Sequence, residues 1–168
     1  MLPPKLKNFA FFGNGVSYLG QCNEVTLPKL QLKTDDYRPG GLLGDVKADM
    51  GLDPQPLEAK FGGFMRQPLR DFGTARIDGV LSRFVGAYQA EDTGLVMPAE
   101  LVVRGRWTEI DPGTAKAGDA NEFSASLAWT YLKWSVAGTV DVEIDLLGLV
   151  FTTGGVDRYA DIRAALLG

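Results

Sequence analysis

Residues 100–113, "ELVVRGRWTEIDPG", sort their side chains by parity. Leu101, Val103, Gly105 and Trp107 occupy one set of alternate positions, and Glu100, Val102, Arg104, Arg106 and Thr108 occupy the other. Successive side chains of an extended chain point to opposite faces, so the pattern predicts a strand over residues 96–108 with a tryptophan toward a core and two arginines toward water. Residues 123–131, "FSASLAWTY", repeat the arrangement: Phe123, Ala125, Leu127, Trp129 and Tyr131 alternate with Ser124, Ser126, Ala128 and Thr130. After Tyr131 the phase changes, with Leu132, Trp134 and Val136 apolar around Lys133. A β-bulge near residues 131–133, one extra residue in the ladder, accounts for the change. Two long half-polar strands predict a mainly β fold.

Toward the N-terminus, residues 9–12 and 16–19 flank Gly13-Asn14-Gly15, and Asn-Gly between apolar runs predicts a tight hairpin because both residues tolerate positive φ. Gly13-x-Gly15 also begins like a dinucleotide phosphate loop. Tyr18 stands where the third glycine belongs, and strand rather than helix follows, which argues against that chemistry. Residues 23–34 alternate around Val25, Leu27 and Leu30, with Pro28 suited to an edge or a bulge. Residues 35–55, "DDYRPGGLLGDVKADMGLDPQ", are punctuated by Gly, Pro and Asp, with one alternating piece at 46–50. They read as a long arm and a candidate contact element, a plain solvent loop being the alternative.

Leu57–Phe61 reads as a strand and residues 67–72 as a short helix that tolerates Pro68 in its first turn. Residues 77–90 form a strand joined to 96–108 through a turn at 91–94. Residues 140–145 and 147–152 are further strands, closed by Gly154-Gly155. The C-terminus reads as helix, with Asp157 as N-cap and Tyr159, Ile162 and Leu166 forming one apolar stripe. That stripe suits docking on a sheet or, alternatively, on a partner.

Composition closes several function classes. The 168 residues, 45% hydrophobic, suffice for one domain with a buried core. Seventeen Lys and Arg against 21 Asp and Glu give a net charge of -4, leaving no basic stripe to hold a phosphate backbone. There is no histidine, which removes the common triads, Cys-His pairs and His-bearing zinc sites. The single cysteine, Cys22, can supply neither an internal disulfide nor a multi-thiolate metal site. It reads as a small buried thiol, with an intersubunit disulfide or a reactive thiol as alternatives. No catalytic residue, metal site or cofactor is expected. The apolar run at residues 9–12 is too short for a secretory signal, and no run is long enough to span a membrane, so synthesis in the cytoplasm without membrane anchoring is expected.

The dense charge of residues 104–113 invites a functional reading. Glu109 and Asp111 lie two residues apart, about 7 Å on an extended strand, and a glycosidase needs two such acids across a cleft. Nothing else in the chain supports that chemistry. Arg104 and Arg106 read more simply as cross-strand partners of acids on a solvated face. Trp107, Trp129 and Trp134 admit a sugar-stacking platform, and a monomeric carbohydrate-binding β-sandwich is the competing function class. Trp107 and Trp129, however, share the phase of core residues.

The order of several motifs resembles a known family. "VTLPKL" at 25–30, "DYRPGG" at 36–41, "MGLD" at 50–53, "GAYQAEDTG" at 86–94, "RGRWTEIDPG" at 104–113, "VEIDL" at 142–146 and "GVDR" at 155–158 resemble the major tail tube protein of contractile-tailed bacteriophages, the family that also builds the tube of contractile bacteriocins. One departure is Thr153-Gly154, where a basic residue and an asparagine are expected. The resemblance implies a two-sheet β-barrel or sandwich with a short internal helix, a C-terminal helix and a long extended loop, in a single domain over residues 1–168. It also implies a virion protein, assembled in the host cytoplasm, whose six copies form a ring and whose rings stack into the inner tube of the tail. With four strands from each copy, about 24 strands at ~4.8 Å spacing and ~40° tilt enclose a lumen near 40 Å, wide enough for duplex DNA in transit.

The partners implied are further copies of itself, the sheath, the tape-measure protein, and baseplate and tail terminator proteins; DNA passes without specific binding. Arg104, Arg106, Ser124 and Ser126 are then expected to face the lumen. An inter-subunit arm is expected to present Arg38, Leu42, Leu43, Asp45, Val46, Asp49 and Met50, so that deleting residues 42–52 leaves a folded monomer unable to polymerise.

Overall fold

A computed structural model describes residues 1–168. Its elements in chain order are β1 (Lys5–Gly13), β2 (Val16–Ser17), β3 (Cys22–Thr26), β4 (Leu32–Tyr37), β5 (Val46–Leu52), β6 (Leu57–Phe61), α1 (Arg66–Asp71), β7 (Val80–Gln89), β8 (Val96–Asp111), β9 (Phe123–Val136), β10 (Thr139–Asp145), β11 (Val150–Thr153), β12 (Val156–Asp157) and α2 (Ala160–Leu167). Ten strands form one open antiparallel sheet, and β4 and β5 form a separate two-stranded ladder.

The long pair β8–β9 is the spine, and it belongs to two layers at once. The first part of β8 pairs with β7 from Val96↔Gln89 to Gly105↔Val80, and beyond Gly105 that edge has no partner. On the far edge of β9, Tyr131–Val136 pairs with β10 while Phe123–Leu127 pairs with β6, which in turn pairs with β3. One layer is therefore β2-β1-β7-β8-β9-β10-β11-β12, and the other is β3-β6-β9-β8. The expected two-layered, mainly β fold is present, with the layers as two halves of one sheet. Two register shifts in β8–β9, between Arg104 and Gly105 and between Trp107 and Glu109, sit at the bend, because an unpaired residue raises local twist and turns the strand. The first skips Thr130, so the bulge expected near 131–133 lies one residue earlier.

The bend brings aromatic side chains of both layers together. Phe11 of β1 stacks on Tyr18 with centroids 5.7 Å apart and lies 6.4 Å from Phe61 of β6, which meets Phe123 edge-on at 6.1 Å. With Leu57, Leu101, Val103, Leu127, Leu132 and Ile144 they form the core. Each such side chain contributes roughly 1.5–3 kcal/mol on burial, so the core sets the fold more than any polar contact does. Gly105 in mid-strand has a steric reason. A Cβ there would fall on the Ala128 carbonyl oxygen, with the Ala128 carbonyl carbon 2.8 Å away.

Smaller elements follow local chemistry. Asn14 at φ 46° and Gly15 at φ 80° make the tight turn expected between β1 and β2. The Asn14 carboxamide oxygen accepts from the Leu81 amide at 2.9 Å, tying that turn to β7. Gly154 and Gly155, at φ 59° and 78°, close a second tight turn between β11 and β12, the place where the chain departs from the tail tube motif. Helix α1 contains the expected turn with Pro68 buried. Helix α2 begins two residues later than expected: Tyr159 is the N-cap, and Asp157 lies in β12, where its carboxylate still accepts from the Tyr159 amide at 3.2 Å.

Candidate functional site

The structure places Arg104, Arg106, Ser124 and Ser126 on the side of the spine that faces away from the core. The core side reads Ala99, Leu101, Val103, Gly105 and Trp107, all buried, while Arg104 and Arg106 are exposed and Ser124 and Ser126 half-buried. Ser124 pairs with Asp111 and Ser126 with Glu109, so both serines stand across from the acids, one to two turns of pleat beyond the arginines. The adjacent β6 adds Lys60 beside Ser124 and Glu58 beside Ser126, and β3 adds Glu24 beside Lys60. Glu24, Glu58, Glu109, Asp111 and the neighbouring Glu122 thus outnumber Lys60 and the two arginines. Lys60 lies 3.4 Å from Glu24 and 3.5 Å from Glu122, and these carboxylates raise its pKa.

The arginines do not have the acidic cross-strand partners expected of them. Strand β9 contains no acid, so Arg104 stands opposite Tyr131 and, past the bulge at Thr130, Arg106 stands opposite Ala128; the Arg106 guanidinium instead donates to the Ala75 carbonyl oxygen at 3.4 Å. The tyrosine hydroxyl is pushed up first by burial and then by Glu143 and Asp145, with Arg104 pulling the other way. Nor do the acids build a catalytic pair. Glu109 and Asp111 are exposed, and Asp111 accepts from the Gly113 amide at 3.0 Å as an ordinary turn residue. A sugar platform also lacks its aromatics, since Trp107 is 3% and Trp129 5% exposed, and the Trp129 indole donates to the Gln55 carbonyl at 2.6 Å.

The arm has more order than a loop. β4 and β5 pair from Leu32↔Leu52 to Tyr37↔Val46, with Lys47 and Asp36 ion-paired across them. Every residue of β4 is nevertheless exposed. Arg38, Leu42, Leu43 and Asp45 form the tip, where Leu43 is fully exposed at 102% and Leu42 at 42%. Val46, Asp49 and Met50 lie along β5, Val46 and Met50 more than half exposed and the Asp49 carboxylate accepting from the Gly51 amide at 2.8 Å. The structure therefore brings all seven expected arm residues onto one hairpin.

At the base of that hairpin lies a groove of about 560 Å³ that the sequence did not reveal, because its walls come from the arm, the β10–β11 turn and α2. Helix α2 is held at its first turns: Arg163 donates to the Leu149 carbonyl at 2.8 Å and pairs with Asp157, whose carboxyl it holds below the usual range. Its apolar stripe is only half used, with Ile162 51% and Leu166 64% exposed. Cys22 is half-buried, and its single S–H is shared between the Glu24 and Lys60 carbonyl oxygens, each 3.5 Å from the sulfur.

Comparison with known proteins agrees with this architecture. Residues 3–166 match the family model described as phage tail tube protein FII. The chain is 40% identical to the tail tube protein of Escherichia phage P2 over 165 residues, covering 96% of each protein. It is 38% identical to the major tail tube protein of Serratia phage KSP20 over 169 residues, covering 99% of this chain and 97% of that one. Among solved structures, a chain of the six-fold symmetrised anti-feeding prophage baseplate shares the fold at TM-score 0.53 and 12% identity, over 77% of this chain and 91% of that chain. A chain of the sheath/tube terminator of the PVC extracellular contractile injection system does so at TM-score 0.56 and 13% identity, over 78% and 95%. On that whole-length kinship, carried by a β fold with an acid-rich outer face and a protruding arm, the chain belongs to the phage tail tube protein family, whose members are structural virion components rather than enzymes.

Proposed function

We propose that this chain is the repeating subunit of the inner tube of a contractile tail: all 168 residues act as one domain, six copies close a ring, rings stack, and the bore conducts double-stranded DNA during ejection. The observation that carries the reading is the whole-length match to two phage tail tube proteins. Two features of the fold support it. The sheet is open, so β3 leaves its outer edge unpaired, and such edges are templates for another chain. The β4–β5 hairpin, residues 35–55 in outline, extends without a core of its own, as an inter-subunit arm requires.

In this tube Arg104, Arg106, Ser124 and Ser126 face the lumen together with Glu109 and Asp111. Acids exceed bases on that face, so the wall does not capture phosphates, and DNA slides rather than binds. The sheath covers the outside, the tape-measure protein occupies the bore before DNA, and baseplate and terminator proteins cap the ends. The fold shared with a baseplate chain and a sheath/tube terminator chain supports those neighbours. Assembly takes place in the host cytoplasm and the product is part of the virion. Negative-stain microscopy of the purified chain tests the reading: hollow tubes of uniform bore are expected, and monomers dispersed at every concentration overturn it. A cryo-EM map of those tubes with Arg104 and Arg106 on the outer surface would overturn the lumen assignment alone.

A further inference from the structure

We infer that the groove at the base of the arm is the receptor for the arm tip of a second copy; this rests on the tube reading above and names one of its contacts. Leu32, Met50 and Leu52 of the arm base wall it on one side, Leu149 and Phe151 of the β10–β11 hairpin and Ile162 of α2 on the other. Asp49, Asp145 and Arg158 also line it. The tip carries matching chemistry: Leu42 and Leu43 lie between Arg38 and Asp45. None of these five charged groups is ion-paired within the chain. The Arg158 guanidinium is steadied by the Thr153 hydroxyl at 2.8 Å and meets no carboxylate. Asp49 and Asp145 can therefore receive Arg38 while Arg158 receives Asp45, on either side of a leucine pair entering an apolar trough.

The tip cannot reach the groove of its own chain. The lining residue nearest the tip, Asp49, pairs with Thr34, and three steps of about 3.4 Å, roughly 10 Å of paired ladder, separate it from Tyr37↔Val46, beyond which the tip stands with Leu43 fully exposed. The occupant is a second copy. Because tip and groove are different surfaces of one chain, every copy offers one of each; a reciprocal exchange of tips would close a dimer, so a tube takes the head-to-tail form. Such a contact repeats until its rotation closes a ring or continues along an axis, whereas a symmetric tip-to-tip contact stops at a dimer.

Cysteine cross-linking tests this in a Cys22→Ala background, with Leu43→Cys and Ile162→Cys made singly and together and oxidised after assembly. The double variant is expected to give a ladder of covalent dimers, trimers and larger species. Each single variant gives none, and a mixture of the two gives dimers only. Met50→Cys, on the opposite wall, replaces Ile162→Cys in a parallel set so that one unfavourable disulfide geometry does not decide the result. Leu43→Asp is expected to raise the concentration needed for assembly at least about tenfold, as loss of an apolar anchor does. Hollow tubes with no ladder from either pair overturn the docking and leave the tube reading standing. Self-cross-linking of Leu43→Cys alone overturns the head-to-tail geometry, and a wild-type chain that never leaves the monomer overturns both.

Discussion

The β8–β9 pair and the β4–β5 pair are built from the same antiparallel hydrogen bonds and differ in almost everything else. The first buries most of one face, with Leu101, Val103, Phe123 and Leu127 at 0% exposure. The second exposes all of β4 and most of β5. A two-stranded ladder without a packed face is marginal in water, so the arm draws its order from its attachment at Leu52, which packs against the core, and from short-range contacts such as Lys47 with Asp36. The contrast separates residues the fold needs from residues it carries. The spine sequence answers to packing, whereas the fully exposed Leu43 answers to nothing inside the chain.

Truncating the spine gives the largest expected effect. Trp107→Ala should cost about 3–5 kcal/mol, because a large buried side chain leaves a cavity at the bend between the layers. Trp107→Phe should cost far less, since the indole N–H it removes has no acceptor in the core. Gly105→Ala comes next at about 1–3 kcal/mol, since its methyl group meets backbone that must move. Urea unfolding measures all three. If Trp107→Ala melts like the wild type, the bend does not hold the two layers together.

Shortening the arm should leave stability nearly unchanged. The deletion of residues 42–52 suggested by sequence removes all of β5 and Leu52 with it, so a cleaner cut replaces residues 38–45 by Asn-Gly, closing a two-residue turn on the Tyr37↔Val46 pair. The unfolding free energy is expected to stay within about 0.5 kcal/mol of wild type, as for surface changes without a buried partner. Tubes should disappear from micrographs. Normal tubes from this variant would show that the arm is an ornament of the monomer.

The spine was legible in the sequence strand by strand, whereas the arm was legible as an arm but not as a paired hairpin, for one physical reason. A buried face forces strict alternation, and residues 96–108 and 123–131 display it; an unburied ladder is under no such constraint, so β4 straddles the alternating stretch 23–34 and the arm from Asp35, and its pairing with β5 leaves no pattern. The phase change that marks the bulge lies one residue beyond the skipped Thr130, because Tyr131 has the parity of a core residue while sitting only half-buried on the outer face. Parity also gives a residue's face but not its neighbour across the ladder. Strand β9 offers no acid at any register, so Arg104 lies beside Tyr131 and Arg106 beside Ala128. The groove could not be read at all, since Leu32, Met50, Phe151 and Ile162 meet only after the hairpin and α2 are in place.

The smallest perturbation compares two thiols in one molecule. Burial pushes the Cys22 thiol up to about 11, against a partial lowering by its bonds to the Glu24 and Lys60 carbonyls and a further rise from the Glu24 charge. A thiol at Leu43→Cys, by contrast, stands at the fully exposed tip, with an ordinary value of about 8.5 expected. Since the thiolate is the reactive form and its population falls about tenfold per pH unit below the pKa, Cys22 should label roughly a hundredfold more slowly than the tip at pH 8. The measurement uses a chromogenic disulfide reagent below the concentration of assembly; urea should bring Cys22 to the rate of the tip, and assembly should slow the tip alone. The folded chain holds the Cys22 proton more tightly than the unfolded one, so the linked stabilisation is fully present below about pH 9 and declines as pH rises through about 11. Equal labelling rates in the native monomer would place Cys22 in a part of β3 that opens as freely as the arm, and would erase the distinction between spine-anchored and unsupported strands at that edge.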